Sequence, residues 1–116
     1  MISIPLLGKA WEIYKDNWVQ LDAPRHYVLH TMESMSILAQ RTGFKIGKVI
    51  FDSSAFQFLG SELYKKDIPL TDPETHKWTT FDKYFTLAEI AKFEEQAKML
   101  NAAQQGDAAR FYLYKI

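Results

Sequence analysis

The stretch from Thr31 to Asp52 limits the possible folds of this chain more than any other. Thr31 offers a side-chain oxygen to the free N–H groups of a helix start, Glu33 puts a negative charge in the first turn, and Met35, Leu38 and Ala39 share one face. Gly43 supplies the left-handed residue that ends such a helix, and Phe44 can fold back onto Leu38 or Ala39. The next residues, Lys45 to Asp52, include Val49, Ile50 and Phe51, which are β-prone and apolar on both faces of a strand. A capped helix running into such a strand predicts an α/β layer with the strand buried from both sides.

Around this unit the punctuation is regular. Ser54 and Gln57 have capping-box spacing and predict a helix over Ala55 to Lys66, with Gly60 as its weak point. Asp67 to Trp78, with Pro69 and Pro73, reads as loop. Thr86 and Glu89 form a second capping box, and Leu87, Ile90, Ala91, Phe93, Ala97 and Leu100 recur at helical spacing up to a stop at Gly106 and Asp107. This is expected to be the longest helix. Ala109 to Ile116, aromatic and free of Gly and Pro, predicts a closing strand. Ahead of Thr31, Ala10 to Val19 mixes aromatic and charged residues in a way that fits a short helix or an ordered loop. Asp22 to Pro24 reads as a turn, and His26 to His30 as a short extended piece.

Size and charge narrow the function classes. A chain of 116 residues fits one domain over 1–116, and 47% hydrophobic residues suffice for a core. Fourteen basic and fourteen acidic residues cancel, leaving no field to attract a nucleic-acid backbone or an anionic membrane. Without cysteine there is no disulfide, thiol chemistry or thiolate metal site. No apolar run approaches the ~20 residues that span a bilayer, and the apolar start is broken by Pro5 and Gly8 with no cleavage site behind it. A soluble, cytoplasmic protein is expected.

The wording of two segments is more specific than the order of elements. Asn17, Trp18 and Val19 through Asp22, Pro24, Arg25 and His26, followed by the Thr-capped helix ending in Thr42, Gly43 and Phe44, resembles the segment after the fifth strand in class I S-adenosylmethionine-dependent methyltransferases. Asp52 through Phe56, Gln57, Gly60 and Glu62 to Tyr64, and Leu100 through Gly106 and Asp107 to Leu113, look like the same family, so the similarity covers nearly the whole chain. The resemblance implies a partial Rossmann-like fold. Lys45 to Asp52 would be the sixth strand and Ala109 to Ile116 the seventh, the last running antiparallel between the fifth and sixth, with covering helices. It also implies S-adenosylmethionine as the full-length family's cofactor. The family's glycine-rich cofactor turn has no counterpart, because Gly8, Gly43, Gly47, Gly60 and Gly106 are isolated. The chain alone is therefore expected to bind no cofactor and to lack activity.

In doubly wound sheets ligands sit outside the carboxyl ends of the strands, where the segment from Trp18 to His26 would reach. His26 is a candidate base, since imidazole titrates near neutrality, or it only hydrogen-bonds a loop carbonyl. Arg25 either holds an anionic group of the methyl acceptor or latches onto Asp22. Trp18, Tyr64 and Phe56 are pocket walls or plain core. His26 and His30 on an extended piece, with Asp22 and Glu33, do not converge as metal ligands would. No nucleophilic triad or carboxylate pair supports hydrolysis.

Two function classes follow. One is the substrate-side portion of a methyltransferase acting on a small-molecule or saccharide-type acceptor; the other is a non-catalytic interaction or regulatory module derived from that fold. With only two strands, the edge of Ala109 to Ile116 would stand open. That predicts a homodimer through this edge or nearby apolar faces, or a complementing methyltransferase half. No nucleic acid, membrane or metal partner is expected.

Overall fold

The chain is a mixed α/β structure, seen in a computed structural model that describes residues 1–22 and 25–116. Three strands form one antiparallel sheet: β1 (Ile2–Pro5), β2 (Phe44–Phe51) and β3 (Ala108–Lys115). Four α-helices accompany it among the described residues: α1 (Lys9–Tyr14), α2 (Met32–Arg41), α3 (Phe56–Lys65) and α4 (Leu87–Ala102). The strand order is β1-β3-β2, so the last strand in sequence is the middle one in space.

Local chemistry accounts for the helix boundaries. The Thr31 side chain accepts from the Ser34 N–H at 3.1 Å, and the Ser34 hydroxyl accepts from the Thr31 N–H at 2.9 Å. The helix ends where Gly43 takes a φ of +83°. Thr86 and Glu89 close the expected box at the start of α4, the longest helix at 16 residues. The Ser54 and Gln57 box does not form. The Gln57 amide donates to the Ser54 carbonyl at 3.0 Å instead of accepting from its N–H, and α3 begins at Phe56. On α4, Ile90, Phe93, Ala97 and Leu100 face inward while Leu87 stands exposed.

Other sequence expectations are corrected. The sheet has a third strand. Ile2 to Pro5 pairs with β3 in the register Ile2 to Phe111 through Pro5 to Ala108, so half of the terminal strand's supposedly open edge is occupied. Four residues ending in a proline carry too little pattern to read as a strand. They pair because Ile4 and Leu6 join Ala109 and Phe111 in one apolar cluster. His26 to His30 is not a strand; His30 alone makes a single parallel bridge to Leu6. Ala10 to Val19, unassigned from sequence, holds most of α1 and a 3₁₀ turn over Lys15–Asn17, with a second 3₁₀ turn over Val19–Leu21. The turn read at Asp22 to Pro24 falls partly on residues 23 and 24, outside the described residues. Val49, Ile50 and Phe51 are half-buried instead of sealed on both faces.

The reason is visible in the register. Phe111 opposes Ile2 and Val49, and Ala109 opposes Ile4 and Phe51, so all six side chains share one face of the pleat. Met32 and Met35 of α2 pack on that face, where Ala109 and Phe111 are fully buried. The opposite face carries Ser3, Arg110 and Ile50, and Arg110 is paired there with Asp52 at 3.1 Å.

The sheet meets the remaining helices at one tight junction. The Leu6 N–H donates to the Asp107 carbonyl at 2.7 Å and the Lys9 N–H to the Gln105 carbonyl at 3.0 Å. Asn101 brackets Ser53, accepting from its N–H at 3.1 Å and donating to its carbonyl at 2.8 Å. Gly106 lies buried inside this ring of bonds. A Cβ there would stand 2.5 Å from the Ser53 hydroxyl and 2.6 Å from Asn101 Oδ1. Gly106→Ala is therefore expected to lower stability by about 1–3 kcal/mol through overpacking, read as a shift of the urea midpoint. A loss under about 0.5 kcal/mol, the level of an ordinary surface change, would show that the junction has room.

Candidate functional site

An open pocket of about 450 Å³ lies on the helical side of that junction. Three pieces of chain build it: the 3₁₀ turn Val19–Leu21 with Asp22 and Arg25, one face of α3 with Phe56 and Tyr64, and the loop from Pro69 to Trp78.

Each piece is held for a physical reason. Trp18, just ahead of the 3₁₀ turn, is fully buried and donates its indole N–H to Asp107 Oδ2 at 3.0 Å. The Val19 N–H donates to the Ser61 hydroxyl at 3.0 Å, and that hydroxyl donates to the Gln57 carbonyl at 2.6 Å, stitching the turn to α3. Gly60 makes the close approach possible, since a Cβ would fall 2.7 Å from Val19 Cγ2. The residue that weakens α3 as a helix is thus the one that admits the pocket wall.

The loop is a small ordered hairpin. Asp72 accepts from the Glu74 and Thr75 N–H groups at 2.8 and 3.0 Å, and Thr71 and Trp78 form an antiparallel bridge. The Thr79 N–H donates to the Leu70 carbonyl at 2.7 Å. These bonds leave Trp78 at the pocket rim, 74% exposed. Backbone donors, Thr75 first, hold the Asp72 carboxyl below the usual range.

The polar groups of the pocket are few. Asp22, at a left-handed φ of 39° that Asp tolerates better than most residues, pairs with Arg25: Nε to Oδ2 is 3.3 Å, and the Arg25 N–H donates to the Asp22 carbonyl at 2.9 Å. The Tyr64 phenol is pushed above its ordinary value, mainly by burial and further by the Asp22 charge, so it keeps its proton. The site can offer a carboxylate, a guanidinium, a protonated phenol and three aromatic rings around one opening.

Among the residues singled out from sequence, Asp22, Arg25, Tyr64 and Phe56 meet here. Arg25 adopts the latch. Trp18 is a correction: it lies in the core with Tyr14, Phe58 and Ala97 and lines no part of the pocket. His26 is half-buried beside Arg25 but is not among the pocket's lining residues. Sequence reasoning missed Trp78, Thr71 and Gln20. The prolines of the loop marked a turn, and nothing in its composition says that the turn folds back over α3. No group of three or more His, Asp or Glu able to hold a metal occurs among the described residues. No helix there is long and apolar enough to cross a membrane. No family model, curated protein or solved structure matches the chain.

Asp107, 2% exposed, is the buried carboxyl on which the wall depends. Burial pushes its carboxyl above the usual range; the Trp18 hydrogen bond offsets part of the rise, and neighbouring Asp52 adds to it. The folded state thus keeps a proton that the unfolded chain releases. As pH climbs from the ordinary carboxylate pKa through the raised folded one, stability falls, and above the folded value the loss is complete. Asp107→Asn keeps an acceptor for Trp18 without the charge. Its urea midpoint is expected to gain on the parent chain as pH rises across that window, whereas Asp107→Ala, which orphans the indole, loses about 1–3 kcal/mol. A pH-independent gap between the Asn variant and the parent would contradict this.

Proposed function

We propose that the chain is the acceptor-side portion of a class I methyltransferase-like fold, with the pocket beside Asp22, Arg25 and Tyr64 receiving the group to be methylated. The observation that carries the reading is the strand order. β1 and β2 both run antiparallel to β3 and hence parallel to one another, with the terminal strand between them. That is the order the resemblance calls for at the end of such a sheet, with β1 in the place of the fifth strand, β2 the sixth and β3 the seventh. The sequence likeness from Asn17 to Phe44 then falls where that family's acceptor-facing segment begins.

The residues present do not fit S-adenosylmethionine. The family's cradle needs glycines that leave space for the cofactor, and here Gly8 packs on the Gly106 carbonyl, Gly47 lies under the Tyr114 ring and Gly60 under Val19. Gly43, the one glycine with open space around it, ends a helix. No chemical step is assigned to this chain. Its part is to position an acceptor, through orientation and exclusion of water. Asp22, Arg25 and Tyr64 would do so directly. His26 belongs to the same segment and remains the candidate base of an assembled enzyme.

Titration calorimetry tests the reading. S-adenosylhomocysteine is expected to give no heat with this chain alone. It is expected to bind once the chain is co-produced with a partner half that carries a glycine-rich strand-turn-helix, encoded in frame upstream or in an adjacent gene. Binding by the chain alone, or no binding by such a pair, would overturn it. The same reading predicts association through the open outer edge of β1 or the stretch Tyr112 to Lys115 of β3, which lies beyond the β1 pairing. A solution mass of one chain at every concentration would count against a homodimer.

A further inference from the structure

We infer that the pocket between the Val19–Leu21 turn, α3 and the 69–78 hairpin takes a neutral polyhydroxylated ring, a saccharide unit, stacked on Trp78 with hydroxyls on the Asp22 and Arg25 pair. This rests on reading the pocket as the acceptor site. Three observations select the ligand class.

The first is charge. Arg25 is the cation of the lining and Asp22 the anion, and they neutralise one another at 3.3 Å. A phosphate or carboxylate ligand would have to share the guanidinium with Asp22 and face its negative charge, and an ammonium ligand would face Arg25. Hydroxyl groups need neither outcome, because each both donates and accepts. The guanidinium N–H groups not turned to Asp22 and the second carboxylate oxygen offer adjacent donors and acceptors that match two neighbouring hydroxyls.

The second is the mix of surfaces. Phe56, Tyr64 and Trp78 bring aromatic area to the lining, and Gln20 and Thr71 add polar groups beside the charged pair. A purely aromatic ligand would strip water from those polar groups without replacing its hydrogen bonds. A sugar ring has a C–H face for the aromatic side and hydroxyls for the polar one. Tyr64, holding its proton, adds a hydroxyl that donates as well as accepts.

The third is preorganisation. The hairpin backbone that carries the exposed Trp78 is held by the Thr71 bridge and the two Thr79 hydrogen bonds, 2.7 Å to the Leu70 carbonyl and 2.8 Å to the Pro69 carbonyl. A platform whose backbone is fixed before binding has only its side-chain rotamers left to order when covered. The volume of about 450 Å³ falls in the usual range for ligand pockets, roughly 300–1,000 Å³.

Saturation-transfer difference NMR tests this with the methyl glycosides of glucose, galactose, mannose and N-acetylglucosamine, alongside glucose 6-phosphate and 4-hydroxybenzoate. At least one glycoside is expected to bind, with transfer strongest at its ring C–H protons. Trp78→Ala should weaken it about tenfold, and Trp78→Phe should recover part of that loss. Because Trp78 is exposed, the Ala variant is expected to keep the parent's circular dichroism. If 4-hydroxybenzoate binds in a Trp78-dependent way and no glycoside does, or if glucose 6-phosphate binds far more tightly than the neutral sugars, the saccharide class is wrong while the acceptor pocket stands. If no probe binds, both readings fall. Glycoside binding unaffected by Trp78→Ala overturns the site.

Discussion

The hydrogen bond from the Trp18 indole to the Asp107 carboxylate joins parts of the chain 89 residues apart, and the other features of the molecule are arranged around it. It fixes the end of the segment after α1 against the start of β3, at the junction where Leu6 and Lys9 bond to Asp107 and Gln105. Burying a full tryptophan contributes on the order of 3 kcal/mol, but an indole N–H left without an acceptor there would forfeit much of that gain. Asp107 is the acceptor, and the same hydrogen bond offsets part of the cost of burying its carboxyl. Since Trp18 cannot move, Val19 is delivered to Ser61 and Gly60, and the pocket wall stands against α3.

Two apolar layers are thereby kept apart. On one face of the sheet, Ala109, Phe111, Ile4 and Val49 close on Met32 and Met35 of α2. On the helical side, Phe58 stacks on Phe93 at 5.3 Å, and Phe85 meets Phe93 edge-on at 6.2 Å. Tyr14 belongs to this second layer and keeps its hydroxyl satisfied by Glu62 at 2.9 Å; burial, and then that carboxylate, push its phenol up.

The sequence was most legible where a single residue type answers a local need. Thr31, Gly43 and Thr86 mark helix ends because an orphan N–H or a left-handed turn has few solutions, and the structure places them so. It was least legible where long-range contact decides. Ile2 to Pro5 is a strand only because β3 has a free side for it, and Ala10 to Val19 is shaped by the cavity that Trp18 fills. Ser54 and Gln57 had the spacing of a cap, but α3 begins at Phe56, so the Gln57 amide bonds to the Ser54 carbonyl instead. Half of the site was readable for the same reasons. Asp22 and Arg25 are neighbours in sequence, so their pairing was open to view, whereas Trp78 arrives from a hairpin whose destination no local pattern encodes.

The indole hydrogens report on the central claim within a single spectrum, because the three tryptophans occupy three environments: Trp18 fully buried, Trp11 partly buried and Trp78 exposed. Proton exchange followed by ¹H–¹⁵N NMR should find the Trp18 indole N–H among the slowest hydrogens in the molecule, opening only with global unfolding, while that of Trp78 exchanges at once. A Trp18 indole hydrogen that exchanges as readily as that of Trp78 would mean that Asp107 does not hold it, and the pocket wall built upon that bond would lose its anchor.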